Sequence, residues 1–514
     1  MPAAHVLRRL ALSAVATLAL TLATVSPAAG AGEPARSADS FVESVGVNVH
    51  LGYTDTVWGQ FSQVRQKLSE LGVRYVRDGI SQGRPDAYSR FRALATDGIK
   101  LDAVVGDPLE RWGVGTLDQQ LNTIDTELRS AVASLEGPNE YDIQGDPNWV
   151  ANLREYQRKL WEGAHARPGL ASLPIVGPSL VNRSSREQLG DISAWTNEGN
   201  MHPYPGGEAP DQDSHINDEL ALAAKNTGSQ PVQATETGYT TAVNTTSGHR
   251  PASERVDGIY TPRLYLDNFR RGISRTFVYD LIDDQNDPGR TDIESNFGLL
   301  HNDFSPKPAF TAMSRLIALL SDRGPSFTPG SLSYSLENAP SSVRRLLLQK
   351  RDGSFYLVLW NQVGVWNPQT LAESNPADPQ VTVKLSQPIS RAETFEPNTS
   401  SSALSTVSSP SSISLPVSEQ VKVIRLVPGT QAPAPEPAPT PEPAPAPAPS
   451  PAPSPQPAPA LTPAPTESEP PSAPPVGESK PTQSREHGHR RHSKAVRTVK
   501  RGQAFTSRAA ASAR

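Results

Sequence analysis

Apolar residues along this chain follow two rhythms. From residue 41 to about 320, a short apolar run is followed by a longer segment with helical spacing, and the pair recurs about eight times. That alternation predicts βα units around a parallel sheet. The first run is 45–50. After it, Val57, Phe61, Val64, Leu68 and Leu71 fall on one helical face, and Gly72 sits at the C-cap. Runs at 73–78, 99–107, 131–135, 174–179, 199–204, 231–236 and 275–282 continue the series. Eight units in about 280 residues predict an α/β fold, a (β/α)8 TIM barrel over 41–322; such barrels usually take about 250 residues. A doubly wound open sheet is the alternative, but no Gly-rich phosphate loop follows an early strand. Residues 239–260 read as a long polar loop before a helix at 262–271. Residues 32–40 read as polar and loose.

From about 327 the rhythm changes. Segments 332–336, 343–349, 355–360, 381–385 and 421–426 alternate or are rich in β-branched and aromatic residues, punctuated by Gly, Pro, Asn and Ser. They predict a small antiparallel β-sandwich over 327–428. The Pro/Ala-rich stretch 432–475 has no core-forming residues. It reads as a polyproline II spacer that reaches roughly 140 Å at about 3.1 Å per residue. The segment 476–514 reads as a basic, disordered tail. At the other end Arg8 and Arg9, the apolar run 10–25 and Ala29-Gly30-Ala31 read as a signal peptide over 1–31, so a secreted protein is expected. An uncleaved anchor is the alternative, but the run is short for a membrane span.

Composition sharpens this reading. There is no cysteine among the 514 residues, which excludes disulfides, thiol catalysis and Cys-ligated metals. Stability must then come from a large core. The net charge of −5 hides an asymmetry: 480–514 holds ten Lys/Arg against one Glu, about +9, leaving about −14 on the rest. An acidic body argues against nucleic acid as partner and suits an uncharged substrate. The basic tail suits an anionic polymer of a cell envelope or matrix; an inert solubilising end is the alternative.

The candidate chemistry lies at strand ends. Glu140 closes Glu136-Gly-Pro-Asn-Glu after the fourth run, and Glu236 closes the seventh. Two carboxylates on separate strand tips are what glycosidic hydrolysis by acid/base and nucleophile needs. Glu140 is the candidate acid/base, with a pKa that burial and a neighbouring carboxylate should raise. Glu236 is the candidate nucleophile and must stay ionised; Arg77, ending the second run, can hold it so. Asn139 can hydrogen-bond a sugar 2-hydroxyl. Glu136, deeper in its strand, reads as a buried support paired with Arg77. Trp58, Trp112, Trp149 and Tyr239 are candidate sugar platforms or packing residues. His50 is a candidate for the cleft floor. Asp280, Asp283, Asp284 and Asp287 read as a solvated loop rather than a calcium site. His487, His489 and His492 read as incidental. No cofactor or metal is implied.

These motifs together resemble the retaining (β/α)8 glycoside hydrolases of clan A, the cellulase-like superfamily. Members carry Asn-Glu at the end of strand four, a nucleophile Glu at the end of strand seven and an Arg on strand two. Asn139-Glu140, Glu236 and Arg77 match these positions. His202-Pro-Tyr204 is similar to the family's strand-six His-x-Tyr, which implies a cleft-lining His202 and a Tyr204 that hydrogen-bonds the nucleophile. Gly298-Leu-Leu and Pro306-Lys-Pro-Ala resemble the stretch that opens the last barrel helix. Tyr141 stands where many members have Pro. On strand eight, Tyr279, a further substrate-binding candidate, and Asp280 stand where many have Trp, so no branch is assigned. The resemblance implies retaining cleavage of a β-linked glycan or glycoside by double displacement. The alternative is a non-catalytic glycan- or envelope-binding protein on the same barrel.

Overall fold

The apolar runs become eight parallel strands: β1 (Val45–Asn48), β2 (Tyr75–Gly79), β3 (Lys100–Val104), β4 (Val132–Glu136), β5 (Ile175–Val176), β6 (Gly199–Met201), β7 (Val232–Thr237) and β8 (Arg275–Val278). This is a computed structural model in which residues 32–429 are described. The segments read as signal peptide, Pro/Ala-rich spacer and basic tail lie outside the described residues. The strands pair in the order β5-β4-β3-β2-β1-β8-β7-β6. A parallel bridge from Val176 to Glu198, next to β6, joins the two ends. The sheet is therefore a nearly closed barrel and not an open doubly wound sheet.

A helix follows each strand: α1 (Phe61–Leu71), α2 (Pro85–Thr96), α3 (Leu117–Thr123), α4 (Trp149–His165), α5 (Arg183–Leu189), α6 (Asp213–Thr227), α7 (Glu254–Arg271) and α8 (Pro308–Leu320). Their ends follow from local chemistry. Gly72 ends α1 at φ 83°, a left-handed conformation that glycine adopts without steric cost. Thr116 and Gln119 form a capping box at the start of α3. Val64, Leu68 and Leu71 are the buried stripe of α1. Val57, expected on the same helix, sits instead in a separate turn, Val57–Gly59, capped by Thr56.

After the barrel come β9 (Tyr334–Glu337), β10 (Val343–Gln349), β11 (Phe355–Asn361), β12 (Gln380–Leu385), β13 (Ile389–Phe395), β14 (Ser405–Ser408), β15 (Ser412–Pro416) and β16 (Lys422–Pro428). One sheet runs β9-β12-β15. A second runs β14-β13-β16-β11-β10 and ends on Arg36–Ser37. Leu347, Leu357, Val383, Leu415 and Leu426 bury one face of each sheet in a shared core.

Two expectations change. Residues 32–40 are not loose. Glu33–Pro34 pairs with Ser331–Leu332, Arg36–Ser37 pairs with Leu348–Gln349, and Ala38–Glu43 is helical. Two-residue edge strands leave no periodicity in a sequence, so this one was invisible. The polar loop after β7 is shorter than expected, because α7 starts at Glu254, capped by the Ser253 side chain. Pro262 lies within this helix and does not start it.

Candidate active site

The centre of the barrel mouth is built around one buried cation. Arg77, on β2, donates through Nε and Nη2 to the two oxygens of Glu136, on β4, at 2.7 and 2.8 Å. Its Nη1 donates to Glu236 Oε1 on β7 at 2.7 Å and to Asn48 Oδ1 on β1 at 3.0 Å. A bidentate guanidinium–carboxylate pair fixes both groups in a plane. Asn200 Nδ2 and Thr235 Oγ1 add donors to Glu136 Oε1 at 2.9 and 3.1 Å. Glu136 is thus fully engaged, which leaves Glu140 and Glu236 as the carboxylates facing a ligand.

Glu140 stands just past β4 with φ 45°. That left-handed conformation is unusual for a residue with a side chain. The Ser179 hydroxyl accepts from the Glu140 amide at 3.0 Å and donates to Asn139 Oδ1 at 3.1 Å. Arg77 Nη2 also donates to Asn139 Oδ1, at 2.7 Å. With its oxygen taken twice, Asn139 keeps its amide hydrogens for a ligand.

His202 lies between the two glutamates. Its Nδ1 is 2.8 Å from Glu140 Oε1 and 3.6 Å from Glu236 Oε2. One oxygen from each glutamate and this ring nitrogen lie within 4.8 Å of one another. His202 Nε2 is 3.0 Å from Thr235 Oγ1, whose own hydrogen goes to Asn200 Oδ1 or Glu136. Nε2 therefore carries a hydrogen, and Nδ1 faces Glu140, where it either accepts from the acid or donates to the carboxylate. Tyr204 donates from its hydroxyl to Glu236 Oε2 at 2.8 Å.

Glu236 is 8% exposed. Burial alone would raise its pKa, but protonated His202, the Arg77 charge and the hydrogen bonds from Tyr204 and Arg77 outweigh it. The carboxyl lies below the usual range. Close by, Glu294 is pushed up to about 8 by burial and by the charge of Glu236; it accepts from the Tyr279 hydroxyl at 3.3 Å. A cleft of about 590 Å³ opens at Glu236 and Asn139, with His50, Tyr53, Arg77 and Tyr279 among its lining. From the 239–260 segment, His249 packs edge-on against Tyr204, with ring centres 5.5 Å apart.

Arg77, Asn139, Glu140, His202, Tyr204, Glu236 and Tyr279 are thus gathered at one mouth. Trp58 is corrected: its ring is 0% exposed and its Nε1 donates to Asp284 Oδ1 at 2.7 Å, so it offers no face to a sugar. Tyr239 is buried with its hydroxyl on Glu208 O, and Trp149 packs beside Leu153 and Tyr141. The side chain of Trp112 lies outside what the structure describes. The acidic stretch after β8 is also corrected. Asp280 and Asp283 are 0% and 5% exposed, because the 296–300 segment folds back over them. Asn48, Asn200, Thr235 and Glu294 escaped the sequence reading. Each is a single polar residue whose role depends on partners from other strands.

No family model matches the chain, and neither does any curated protein sequence. Solved structures do. A family 39 glycoside hydrolase from the gut symbiont Bacteroides cellulosilyticus WH2 superposes with a TM-score of 0.53 at 15% identity, over 77% of this chain and 83% of that one. A monomeric beta-xylosidase from Caulobacter crescentus CB15 gives 0.53 at 16%, over 77% and 98%. The GH39 enzyme from Xanthomonas axonopodis pv. citri gives 0.52 at 14%, over 78% and 96%. At these identities the likeness is one of fold alone.

Proposed function

We propose that this chain is a secreted retaining glycoside hydrolase that cleaves β-linked glycans or glycosides. The observation that carries the reading is the pair Glu140 and Glu236, with oxygens within 4.8 Å of each other. Retaining enzymes hold their carboxyl groups about 5–5.5 Å apart, whereas inverting enzymes leave about 6.5–9.5 Å for a water. In this mechanism Glu236 attacks the anomeric carbon while Glu140 gives its proton to the departing oxygen. A covalent glycosyl-enzyme forms, and Glu140 then takes a proton from the water that releases the sugar. Arg77 and Tyr204 keep Glu236 ionised for attack. When Glu140 holds its proton, His202 Nδ1 is placed to accept it and orient it. Asn139 donates to the sugar 2-hydroxyl, and Tyr279 lines the glycone side. The family 39 fold, with a beta-xylosidase among the neighbours, supports a β-linked substrate.

Two variants test the roles. Glu236→Ala should lose hydrolysis of aryl glycosides and recover it with azide, which fits where the carboxylate stood. Glu140→Gln should slow substrates with poor leaving groups by about 10²–10⁴-fold, and spare glycosylation by a dinitrophenyl glycoside, whose leaving group needs no acid. Full activity in Glu140→Gln on an alkyl glycoside would sink the assignment. A non-catalytic glycan binder would turn over nothing on a glycoside and polysaccharide panel. Export rests on residues 1–31, and attachment to an anionic envelope polymer rests on the basic tail. Salt-dependent pull-down on such polymers with and without 476–514 tests the second.

A further inference from the structure

A buried carboxylate without a partner stands beside the cleft. Asp280 follows β8, is 0% exposed, and has neither side-chain oxygen in a hydrogen bond. His50 follows β1, and its Nε2 is likewise unpartnered, 3.6 Å from Asp280 Oδ2. The two meet because β1 and β8 pair in parallel, with Val47 opposite Val278. Asp284 completes the group, and one ligand atom from each of the three lies within 4.8 Å of the others. Among the described residues no Lys or Arg pairs with Asp280: Lys307, at the other end of the loop, is spent on Asp283 at 2.7 Å. A buried carboxyl group with neither oxygen in a hydrogen bond is costly for a fold to keep.

We propose that His50, Asp280 and Asp284 bind one divalent transition-metal ion of the Zn²⁺ or Mn²⁺ type, clasping the first and last barrel strands at the cleft wall. One imidazole and two carboxylates give a mixed nitrogen–oxygen set with charge −2. Such a set suits Zn²⁺ or Mn²⁺, whereas Ca²⁺ and Mg²⁺ favour oxygen alone. Two ligands at about 2.1 Å from a metal stand at most about 4.2 Å apart. The 3.6 Å pair needs no movement, and the outermost atom needs less than about 1 Å. The ligands are also held from behind, as metal ligands usually are. Trp58 Nε1 donates to Asp284 Oδ1 and leaves Oδ2 for the ion. The His50 ring lies flat on Tyr53, centres 4.9 Å apart, and edge-on to Trp58 and Tyr279. His50 and Tyr279 line the cleft, so the group borders it.

The test uses the full chain, stripped with a chelator and titrated with Zn²⁺ and with Mn²⁺ by calorimetry and thermal melting. Two other groups can take these ions: Glu140, His202 and Glu236, and His487, His489 and His492 in the tail. The tail histidines are therefore replaced by alanine in every sample, and Glu236→Gln serves as a second background. The expected result is one ion bound, a melting temperature that rises with metal concentration, and at least a tenfold loss of affinity in Asp280→Asn and in Asp284→Asn, with Glu236→Gln unaffected. Asp284→Asn is the safeguard if Asp280→Asn does not fold. Mn²⁺ adds a direct readout: its electron-spin-echo signal should carry nitrogen modulation that disappears in His50→Gln. No binding at millimolar metal, binding unchanged in Asp284→Asn, or binding abolished by Glu236→Gln would each overturn the proposal.

Discussion

Glu236 is the residue on which the proposed chemistry turns, and its charge is set by three neighbours. Arg77 and Tyr204 touch its two oxygens, and His202 Nδ1 stands 3.6 Å away. Together they bring its pKa below the ordinary value of about 4.3 despite burial. A carboxyl with a depressed folded pKa adds stability that is present above its unfolded pKa and is lost as pH falls through the folded one. The acid limb of kcat/KM should accordingly lie below the usual carboxylate range. Tyr204→Phe removes a hydrogen bond to a charged acceptor, an interaction of about 1.5–3 kcal/mol. The limb should therefore move upward by about one to two pH units, with the protein still folded. A pH–rate profile of the two proteins on one substrate reads the shift, and an unmoved limb would separate Tyr204 from the charge state of Glu236. Of these contacts, Arg77, His202, Tyr204 and Glu236 were legible because each falls at the end of an apolar run and matches a family position. Asn200 and Thr235 were not: their role is to bond Glu136 across three strands, and nothing local marks it.

The segment from β8 to α8 is an element whose stability depends on one buried ion pair. Lys307 precedes α8, is 1% exposed, and donates to Asp283 Oδ1 at 2.7 Å, Thr241 Oγ1 at 3.1 Å and Asn296 O at 3.3 Å. It ties the loop after β7, the loop after β8 and the helix start together, so the Pro306-Lys-Pro-Ala stretch has a physical role. The flanking Pro308 opens the helix where no amide hydrogen is needed. Breaking a buried pair strands a charge, here Asp283, at a cost of about 3–5 kcal/mol. Lys307→Met should lower the denaturant midpoint accordingly. Lys307→Met with Asp283→Leu should recover much of the loss, because no charge is then left alone. A double variant as unstable as the single one would count against the pairing. At this scale the chain is unevenly legible. β7 is buried at every residue although Gln233, Thr235 and Glu236 interrupt its apolar run, and β4 is buried at all but Ala133. The acidic loop misled because four aspartates look solvated until Gly298 and Lys307 are seen to cover Asp283. The start of α7 was hidden by Pro262, which usually begins a helix but here stands inside one.

The barrel and the sandwich share one core, and this decides how the described part of the chain unfolds. Leu346, Leu348, Tyr356, Val358, Trp360, Val421 and Val423 lie in the same buried cluster as Leu264, Phe310 and Met313 of the barrel helices. The contact is also polar. Arg263 on α7 is fully buried and donates to Asp211 Oδ1 at 2.6 Å, and Trp360 Nε1 donates to the other oxygen at 2.8 Å. Arg263 Nη1 donates to Val363 O at 2.9 Å, and Tyr260 accepts at its hydroxyl from Val365 N at 2.8 Å. The chain also enters through the sandwich, since Arg36–Ser37 is its edge strand before β1 begins. Removing 323–429 would therefore bare the outer apolar faces of α7 and α8, leave Arg263 and Asp211 with lost partners, and free the N-terminal segment that precedes the first barrel strand. Two units that share buried area in this way should unfold together. Residues 32–429 should melt in a single transition that is the same by near-UV dichroism and by tryptophan emission. Residues 32–322 alone should lack a cooperative transition and bind a hydrophobic dye. Two separated transitions, or a barrel fragment melting within a few degrees of the longer chain, would mean that the sandwich is an appendage. The packing of Trp360 against the Arg263–Asp211 pair argues that it is instead the outer wall of the barrel core.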